Sequence, residues 1–227
     1  MSRFGSGDVL QAAYTALLDH FGPQHWWPAE TVFEVIVGAV LTQNTSWKNV
    51  DRALENLRAA GVLHLEGLRG LHHEELAELI RPAGYFRLKA RRLRNLLDLI
   101  HERHDGSLER FLATDLQTLR EQLLGVNGIG PETADSILLY AAEKPTFVID
   151  AYTHRVAKRH GWVEQERDYH GLKEYFEAAL PEEVPLYNEY HALLVRVGHE
   201  FCKPTPRCEH CPLRPLLPDG GPLGPDS

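Results

Sequence analysis

Apolar residues recur at helical spacing along almost the whole chain. Near its start, Val9, Ala13 and Leu17 lie about one turn apart, and the stripe stops at Gly22, which is typical of an amphipathic helix. No stretch alternates between apolar and polar residues for the length of a strand. The sequence therefore predicts an all-α fold. Helices are predicted over residues 8–21, 31–43, 47–60, 73–80, 86–104, 116–124, 131–142, 151–160, 168–180 and 188–200.

The composition is that of a globular protein. Of the 227 residues, 43% are apolar and 25% are charged, which excludes wholesale disorder and is enough to build a core. The longest apolar run free of charge, 35–41, is far shorter than the ~20 residues that cross a bilayer. Residues 1–7 lack the apolar core of a signal peptide. We therefore expect a cytoplasmic protein with no membrane partner.

The net charge restricts how the chain can bind nucleic acid. There are 24 Lys and Arg residues against 32 Asp and Glu residues, which gives a formal net charge of −8. This balance argues against nonspecific coating of nucleic acid, because such coating depends on an excess of basic residues. Any DNA binding must therefore come from a local site.

A Gly-Ile-Gly sequence between two predicted helices is a candidate anion site. Gly128, Ile129 and Gly130 follow the helix predicted over 116–124, and Pro131 stands at the first position of the next helix. Glycines allow positive φ and leave backbone amides uncovered, so such a turn can cradle a phosphate without a basic side chain. An ordinary tight turn between helices has the same pattern, and the spacing leaves both interpretations open.

A single carboxylate follows a short apolar run later in the chain. Asp150 comes directly after Phe-Val-Ile at 147–149 and precedes the helix predicted over 151–160. Aspartate at a helix start is a good N-cap. A partly desolvated carboxylate can also activate water or stabilise a cationic transition state. Both roles stay open on the sequence alone.

Four features in this order resemble the helix-hairpin-helix Gly/Pro-Asp DNA glycosylase superfamily, in particular endonuclease III. They are the run Leu-Thr-Gln-Asn-Thr at 41–45, the Gly-Ile-Gly hairpin, Asp150 placed eighteen residues after Glu132, and a cysteine cluster near the end of the chain. The resemblance covers about residues 30–212. It implies an enzyme of base excision repair that flips a damaged base out of DNA and hydrolyses its N-glycosidic bond.

The resemblance also implies an architecture and a partner. We expect two helical lobes with a DNA-binding cleft between them, one of residues 29–142 and the other of residues 1–28 with 143–227. The hairpin, at about 116–142, belongs to the first lobe. The expected partner is double-stranded DNA that contains a damaged base, bound by a monomer, which in a prokaryote would be associated with the nucleoid.

Roles for individual residues come from the same resemblance. It implies that Asp150 helps a water attack the anomeric carbon, with an oxocarbenium-like transition state as in other sugar hydrolysis. It places Gln43 in the gap that the extruded nucleotide leaves, although a polar residue at a helix end is the plainer interpretation. The DNA-binding residues are then Gln43, Gly128, Ile129, Gly130 and Thr133.

Glu132 is a departure from bifunctional endonuclease III. That enzyme carries its catalytic lysine at the matching position, and a carboxylate cannot form an imine. The resemblance therefore implies a monofunctional glycosylase with weak or absent lyase activity. Two alternatives stay open: a lyase that uses another amine, such as Lys144 or Lys158, and a non-catalytic binder of damaged or abasic DNA.

A closer resemblance, to 3-methyladenine DNA glycosylase III, rests on Trp-Trp-Pro at 26–28 together with the runs at 40–45, 128–138 and 148–152. It implies that Trp26 or Trp27 stacks against a flipped cationic purine. The alternative is that both tryptophans only cover hydrophobic core. Alkylated purine, oxidised pyrimidine and mismatched uracil or thymine all stay open as the lesion.

The three cysteines indicate a metal site. Cys202, Cys208 and Cys211 have the spacing Cys-x5-Cys-x2-Cys, and endonuclease III relatives close a [4Fe–4S] site with a fourth cysteine. Leu217 stands about where that cysteine would fall, so Asp219 is the expected fourth ligand of an atypical cluster. The alternatives are His199 or His210 as fourth ligand, one iron open to solvent, zinc, or a loop without metal, as the resemblance to 3-methyladenine DNA glycosylase III implies.

Two further segments carry expectations. Arg87, Arg91 and Arg94 share one face of the helix predicted over 86–104, and they form either a DNA-backbone stripe or a solvated surface. Seven of the last thirteen residues are Pro or Gly, which predicts a loose extension.

Overall fold

The computed structural model describes residues 6–163 and 168–224, and in these ranges it contains α-helices and no strands. The predicted all-α class is confirmed. The helices are α1 (Ser6–Phe21), α2 (Val32–Leu41), α3 (Trp47–Ala59), α4 (Leu65–Gly70), α5 (His73–Leu79), α6 (Phe86–His104), α7 (Leu108–Ala113), α8 (Leu116–Leu124), α9 (Pro131–Ser136), α10 (Ala151–Arg159), α11 (Tyr169–Ala179) and α12 (Val184–Glu200).

The sequence prediction and the structure differ mostly at short elements, although the long helix α12 also begins at Val184, four residues before its predicted start. The helices α4 and α7 have six residues each and were not predicted, because six residues are too few for a periodic signal. Each begins at a capping side chain: His64 accepts a hydrogen bond from the amide of Gly67, and Ser107 accepts one from the amide of Arg110. The helix predicted over 131–142 divides into α9 and a π-helical turn, Ile137–Ala141.

The described residues form two compact units. One unit consists of the chain up to Trp26 together with the chain from Pro145 onwards, and it contains α1 and α10–α12. The other is Trp27–Lys144 and contains α2–α9. The predicted DNA-binding cleft between lobes stays a prediction.

The helix α2 is the centre of the second unit. All its residues from Phe33 to Leu41 are buried, as the sequence predicts for a helix that is apolar almost all round. It packs against α3, α6, α9 and the π-helical turn. The buried side chain of Lys89, on α6, donates from Nζ to the carbonyl of Leu41 at 2.9 Å and to that of Ala83 at 2.7 Å. Desolvation, with a smaller contribution from Arg92, lowers the pKa of Lys89 to about 8. The hydrogen bond from Lys89 to the carbonyl of Leu41 anchors the end of α2, two residues before Gln43.

An aromatic core holds the first unit together. Phe147 stacks on Phe176 with ring centroids 4.5 Å apart, and the hydroxyl of Tyr190 donates to the carbonyl of Leu10 at 2.8 Å. The amide of Phe147 donates to Glu177 Oε1 at 2.8 Å. These contacts hold the extended segment that leads to α10, and with it the position of Asp150.

The end of the chain differs from its prediction. The amide of Leu223 donates to the carbonyl of Arg159 at 2.9 Å, so the tail is attached to the end of α10 at Leu223 and is not a loose extension up to that residue. The last three residues of the predicted extension, 225–227, lie outside the described residues, as do residues 1–5 of the segment considered for a signal peptide. Within the described ranges, no helix is long and apolar enough to cross a membrane.

Candidate nucleic-acid interface and active site

The turn between α8 and α9 has the backbone geometry that only glycine adopts easily. Gly128 has φ +94°, and a Cβ built on it would lie 2.4 Å from Cγ of Arg92. Gly130 is exposed and extended, with nothing within 4 Å of such a Cβ. Ile129, between the two glycines, is buried. The turn therefore anchors itself through Ile129 and keeps backbone open at Gly130.

A buried ion pair joins the two helices of this hairpin. Asp135, on α9, is fully buried and accepts hydrogen bonds from Arg120 on α8, at 2.7 Å from Nε and 3.2 Å from Nη2. Removing one partner of such a pair costs ~3–5 kcal/mol, because the other charge stays buried. The pair thus makes the hairpin a rigid element.

Gln43 lies against this hairpin. Its Nε2 donates to the carbonyl of Gly128 at 3.1 Å and to Oγ1 of Thr133 at 2.9 Å, while Arg92 donates to its Oε1. The structure thus brings together three of the predicted DNA-binding residues. In this conformation the Gln43 amide is fully hydrogen-bonded, so it must leave these partners before it can enter a DNA duplex.

The basic run on α6 is arranged differently from the prediction. Arg87 is exposed and pairs with Glu74 at 3.0 Å, and Arg94 donates to the carbonyl of Leu71. The arginine that lies against the hairpin turn is Arg92, which is not one of the three arginines that the helical spacing placed on one face. No local signal indicates this, because Arg92 and Gln43 are 49 residues apart. The DNA role of the predicted stripe stays a prediction.

Glu132 occupies the first turn of α9, where it is exposed. In sequence it lies between Gly130, whose backbone is open, and Thr133, which accepts a hydrogen bond from Gln43. The position that would carry the amine of a lyase therefore bears a carboxylate. Lys144 and Lys158, the alternative amines, are both half-buried and lie in different units.

Asp150 is the N-cap of α10. Its Oδ1 accepts a hydrogen bond from the amide of Thr153 at 2.7 Å. The side chain is only 13% exposed, and its Oδ2 lies 3.7 Å from Nε2 of His191. Burial lowers the pKa of His191, and the nearby Asp150 raises it by a smaller amount. The two roles that the sequence left open are therefore compatible, because one oxygen caps the helix while the group stays a largely desolvated carboxylate.

The two adjacent tryptophans belong to different units. Trp27 packs edge-on against Trp47 with centroids 5.3 Å apart and lies 5.3 Å from Tyr140. A Cβ on Gly38 would lie 3.2 Å from the Trp27 ring, so glycine makes room for it in α2. Trp26 is half-buried in the other unit. The predicted base-stacking role stays a prediction for both.

The cysteine segment is organised by an arginine. Arg159, only 1% exposed, donates to Sγ of Cys202 at 3.4 Å and to the carbonyls of Lys203 and Pro204 at 2.5 and 2.7 Å. Burial raises the pKa of Cys211 to about 11. Burial, and to a smaller extent the nearby Cys202, raises the pKa of Cys208. These thiols are therefore protonated at neutral pH.

This segment does not fit the predicted [4Fe–4S] cluster. The chain has three cysteines, Leu217 stands at the fourth position, and the proposed fourth ligand Asp219 is exposed. In the described ranges no three His, Cys, Asp or Glu side chains are placed to hold a metal ion. We therefore assign no step of the chemistry to a cluster.

A metal measurement tests this correction. We expect the purified protein to be colourless, with iron and zinc far below one atom per chain by mass spectrometry, because three thiols and a guanidinium do not complete a four-ligand site. The variant Leu217→Cys, which restores a fourth thiol, is the matched comparison under the same iron supply. A brown wild-type protein with a full complement of iron would contradict the assignment.

The fold and the hairpin define an all-helical helix-hairpin-helix protein with a largely buried aspartate that caps a helix. The family described as "HhH-GPD superfamily base excision DNA repair protein" matches residues 37–182. The chain belongs to this superfamily.

Relatives extend over nearly the whole chain. A Methanocaldococcus jannaschii protein named "Putative DNA repair glycosylase" is 47% identical over 209 residues, which cover 91% of this chain and 94% of the relative. The crystal structure of H. pylori 3-methyladenine DNA glycosylase bound to 1,N6-ethenoadenine is 32% identical, with a TM-score of 0.74 over 87% of this chain and 98% of that one. An endonuclease III–DNA complex, 21% identical, has a TM-score of 0.80 over 96% of this chain and 97% of that one, which shows a shared fold.

Proposed function

We propose that this protein is a monofunctional DNA N-glycosylase, which extrudes a damaged base from double-stranded DNA and hydrolyses its N-glycosidic bond. The observation that carries the proposal is Asp150, a largely buried carboxylate held by a helix N-terminus. Membership of a base excision repair superfamily and the 47% identity to a relative named as a glycosylase support it.

In the proposed reaction the water oxygen bonds to the anomeric carbon as the bond from that carbon to the base nitrogen breaks. The base leaves with the bonding electron pair, and Asp150 takes the proton that the water loses. Positive charge develops on the sugar in the transition state, and the carboxylate of Asp150 stabilises it. Low exposure strengthens this effect, because water screens the carboxylate less.

The absence of lyase chemistry is proposed from Glu132. A lyase needs an amine that attacks the same carbon and forms an imine, and the first turn of α9 presents a carboxylate there. A non-catalytic binder is the weaker alternative, since a carboxylate near a phosphate-rich ligand costs affinity unless chemistry requires it.

DNA binding is proposed to use the backbone of the hairpin rather than an extended basic surface. Gly128, Ile129, Gly130 and Thr133 form the part that faces a phosphate, and Gln43 would enter the duplex once released from the hairpin. Such binding by amides suits a chain with a net charge of −8.

An alkylated or etheno-modified purine is the proposed lesion. The 32%-identical structure holds 1,N6-ethenoadenine, and in this chain Trp27 lies in an aromatic cluster with Trp47 and Tyr140. An electron-rich ring attracts a cationic base, such as an alkylated purine, more strongly than a neutral one.

Base release from a panel of duplexes tests the proposal. Each duplex carries 3-methyladenine, 1,N6-ethenoadenine, an oxidised pyrimidine or uracil opposite guanine, and released bases are separated and identified by mass spectrometry. We expect release of at least one modified purine and none from an undamaged duplex. Tight binding to an abasic-site analogue with no release of any base would favour the non-catalytic binder instead.

A further inference from the structure

A buried histidine lies behind the proposed catalytic carboxylate and is not yet accounted for by the reaction. His191 is on α12, with its side chain 8% exposed and its Nε2 3.7 Å from Oδ2 of Asp150. The other oxygen, Oδ1, is held by the amide of Thr153. The two carboxylate oxygens therefore face different protein groups. The distance from Oδ2 to His191 is longer than a hydrogen bond, and such contacts of catalytic groups often shorten only when substrate binds.

Helix packing keeps these groups together. A Cβ on Gly198 would lie 2.5 Å from Cδ1 of Tyr152, so α12 approaches α10 as closely as a glycine permits. His191 and Gly198 are seven residues apart on α12, which places them on the same face of the helix. The face of α12 that packs on α10 is thus the face that presents His191 to Asp150.

The charge of the imidazole decides what it does to the carboxylate. Burial is the larger influence on His191 and lowers its pKa, so at neutral pH the ring is uncharged. A neutral ring leaves the negative charge of Asp150 available to the reacting sugar, whereas a cation at the same place would pair with the carboxylate and offset that charge.

Resting on the proposed function, we propose that His191 is a positioning residue, which closes to hydrogen-bond distance of Oδ2 of Asp150 in the substrate complex while the Thr153 amide holds Oδ1, so that the carboxylate meets the sugar in one orientation. Its contribution is to the chemical step and not to DNA binding, because His191 is buried and acts through Asp150. Misplacement of a catalytic group by about 1 Å costs about 10²-fold in rate.

Single-turnover base release by His191→Leu and His191→Gln tests this role. We expect His191→Leu to lower the rate constant by about 10- to 100-fold, with Kd for a duplex containing an abasic-site analogue unchanged. His191→Gln keeps a neutral hydrogen-bonding group and should recover most of the rate. The matched controls are His160→Leu and His160→Gln. His160 is also a buried histidine of this unit, but its Nδ1 contacts the carbonyl of Val156 and not Asp150.

The outcomes separate this inference from the proposed function. A wild-type rate in His191→Leu would overturn the positioning role while leaving the glycosylase intact. Equal losses of rate, DNA affinity and melting temperature in both His191 variants would also overturn it, because they indicate a purely structural histidine. A wild-type protein that releases no base from any duplex would overturn the proposed function and this inference together.

Discussion

Replacing Asp150 by asparagine is expected to lower the rate of base release by about 10²–10⁴-fold. The substitution removes the charge that stabilises the oxocarbenium-like transition state and the group that accepts the proton of water. Asparagine is as good an N-cap as aspartate, so the hydrogen bond to the amide of Thr153 and the start of α10 are preserved. Single-turnover release of the preferred base measures the effect, and Kd for an abasic-site analogue should be unchanged or lower.

The chain offers a matched control for this experiment. Asp168 is the N-cap of α11 and accepts a hydrogen bond from the amide of Gly171 at 2.9 Å, but it is exposed. Asp168→Asn therefore makes the same chemical change at the same kind of helix position and should retain the wild-type rate. Wild-type release by Asp150→Asn would show that another group carries the reaction.

Replacing Gly128 by alanine is expected to weaken DNA binding by about 5- to 30-fold. A side chain at φ +94° meets both backbone strain and Cγ of Arg92 at 2.4 Å. Strain of ~1–2 kcal/mol shifts the loop towards another conformation, so that a smaller fraction of the protein can bind DNA. The apparent Kd then rises by about 5- to 30-fold. Titration of a fluorescent duplex with an abasic-site analogue measures Kd directly.

Gly70→Ala is the control for that substitution. Gly70 lies in the same unit, has no positive φ, and has nothing within 4 Å of an added Cβ, so its replacement should leave Kd unchanged. If Gly128→Ala bound DNA as tightly as the wild type, the hairpin turn would not be a phosphate cradle in its present conformation.

Sequence periodicity predicted the long helices well and the short elements poorly. The bounds of α6 and α8 agree with the prediction because each is amphipathic and ends in a clear change of pattern. The change from α-helix to a π-helical turn after Ser136 gives no sequence signal, because residues 137–141 are all buried and show no apolar–polar periodicity. The helices α4 and α7 have six residues each and begin at a single capping side chain. A search for apolar periodicity does not detect such a cap.

The candidate site shows the same division between local and long-range information. The glycine turn and the aspartate cap are local, and the sequence indicated both. The contacts of Arg92 with Gln43 and of His191 with Asp150 each join residues that are distant in sequence. A single sequence does not show how its helices pack against one another, so it does not predict these contacts. The cysteine spacing favoured a cluster, whereas the buried cation that organises this segment, Arg159, comes from a helix 43 residues earlier.

The measurement that tests the central claim most directly is strand cleavage with and without hot alkali, on an end-labelled duplex carrying the base that the protein releases. A monofunctional enzyme leaves an intact abasic strand, so we predict breaks only after alkali and no covalent protein–DNA adduct when borohydride is present. Breaks without alkali, together with an adduct trapped by borohydride, would show an amine nucleophile and contradict the assignment of Asp150 and Glu132.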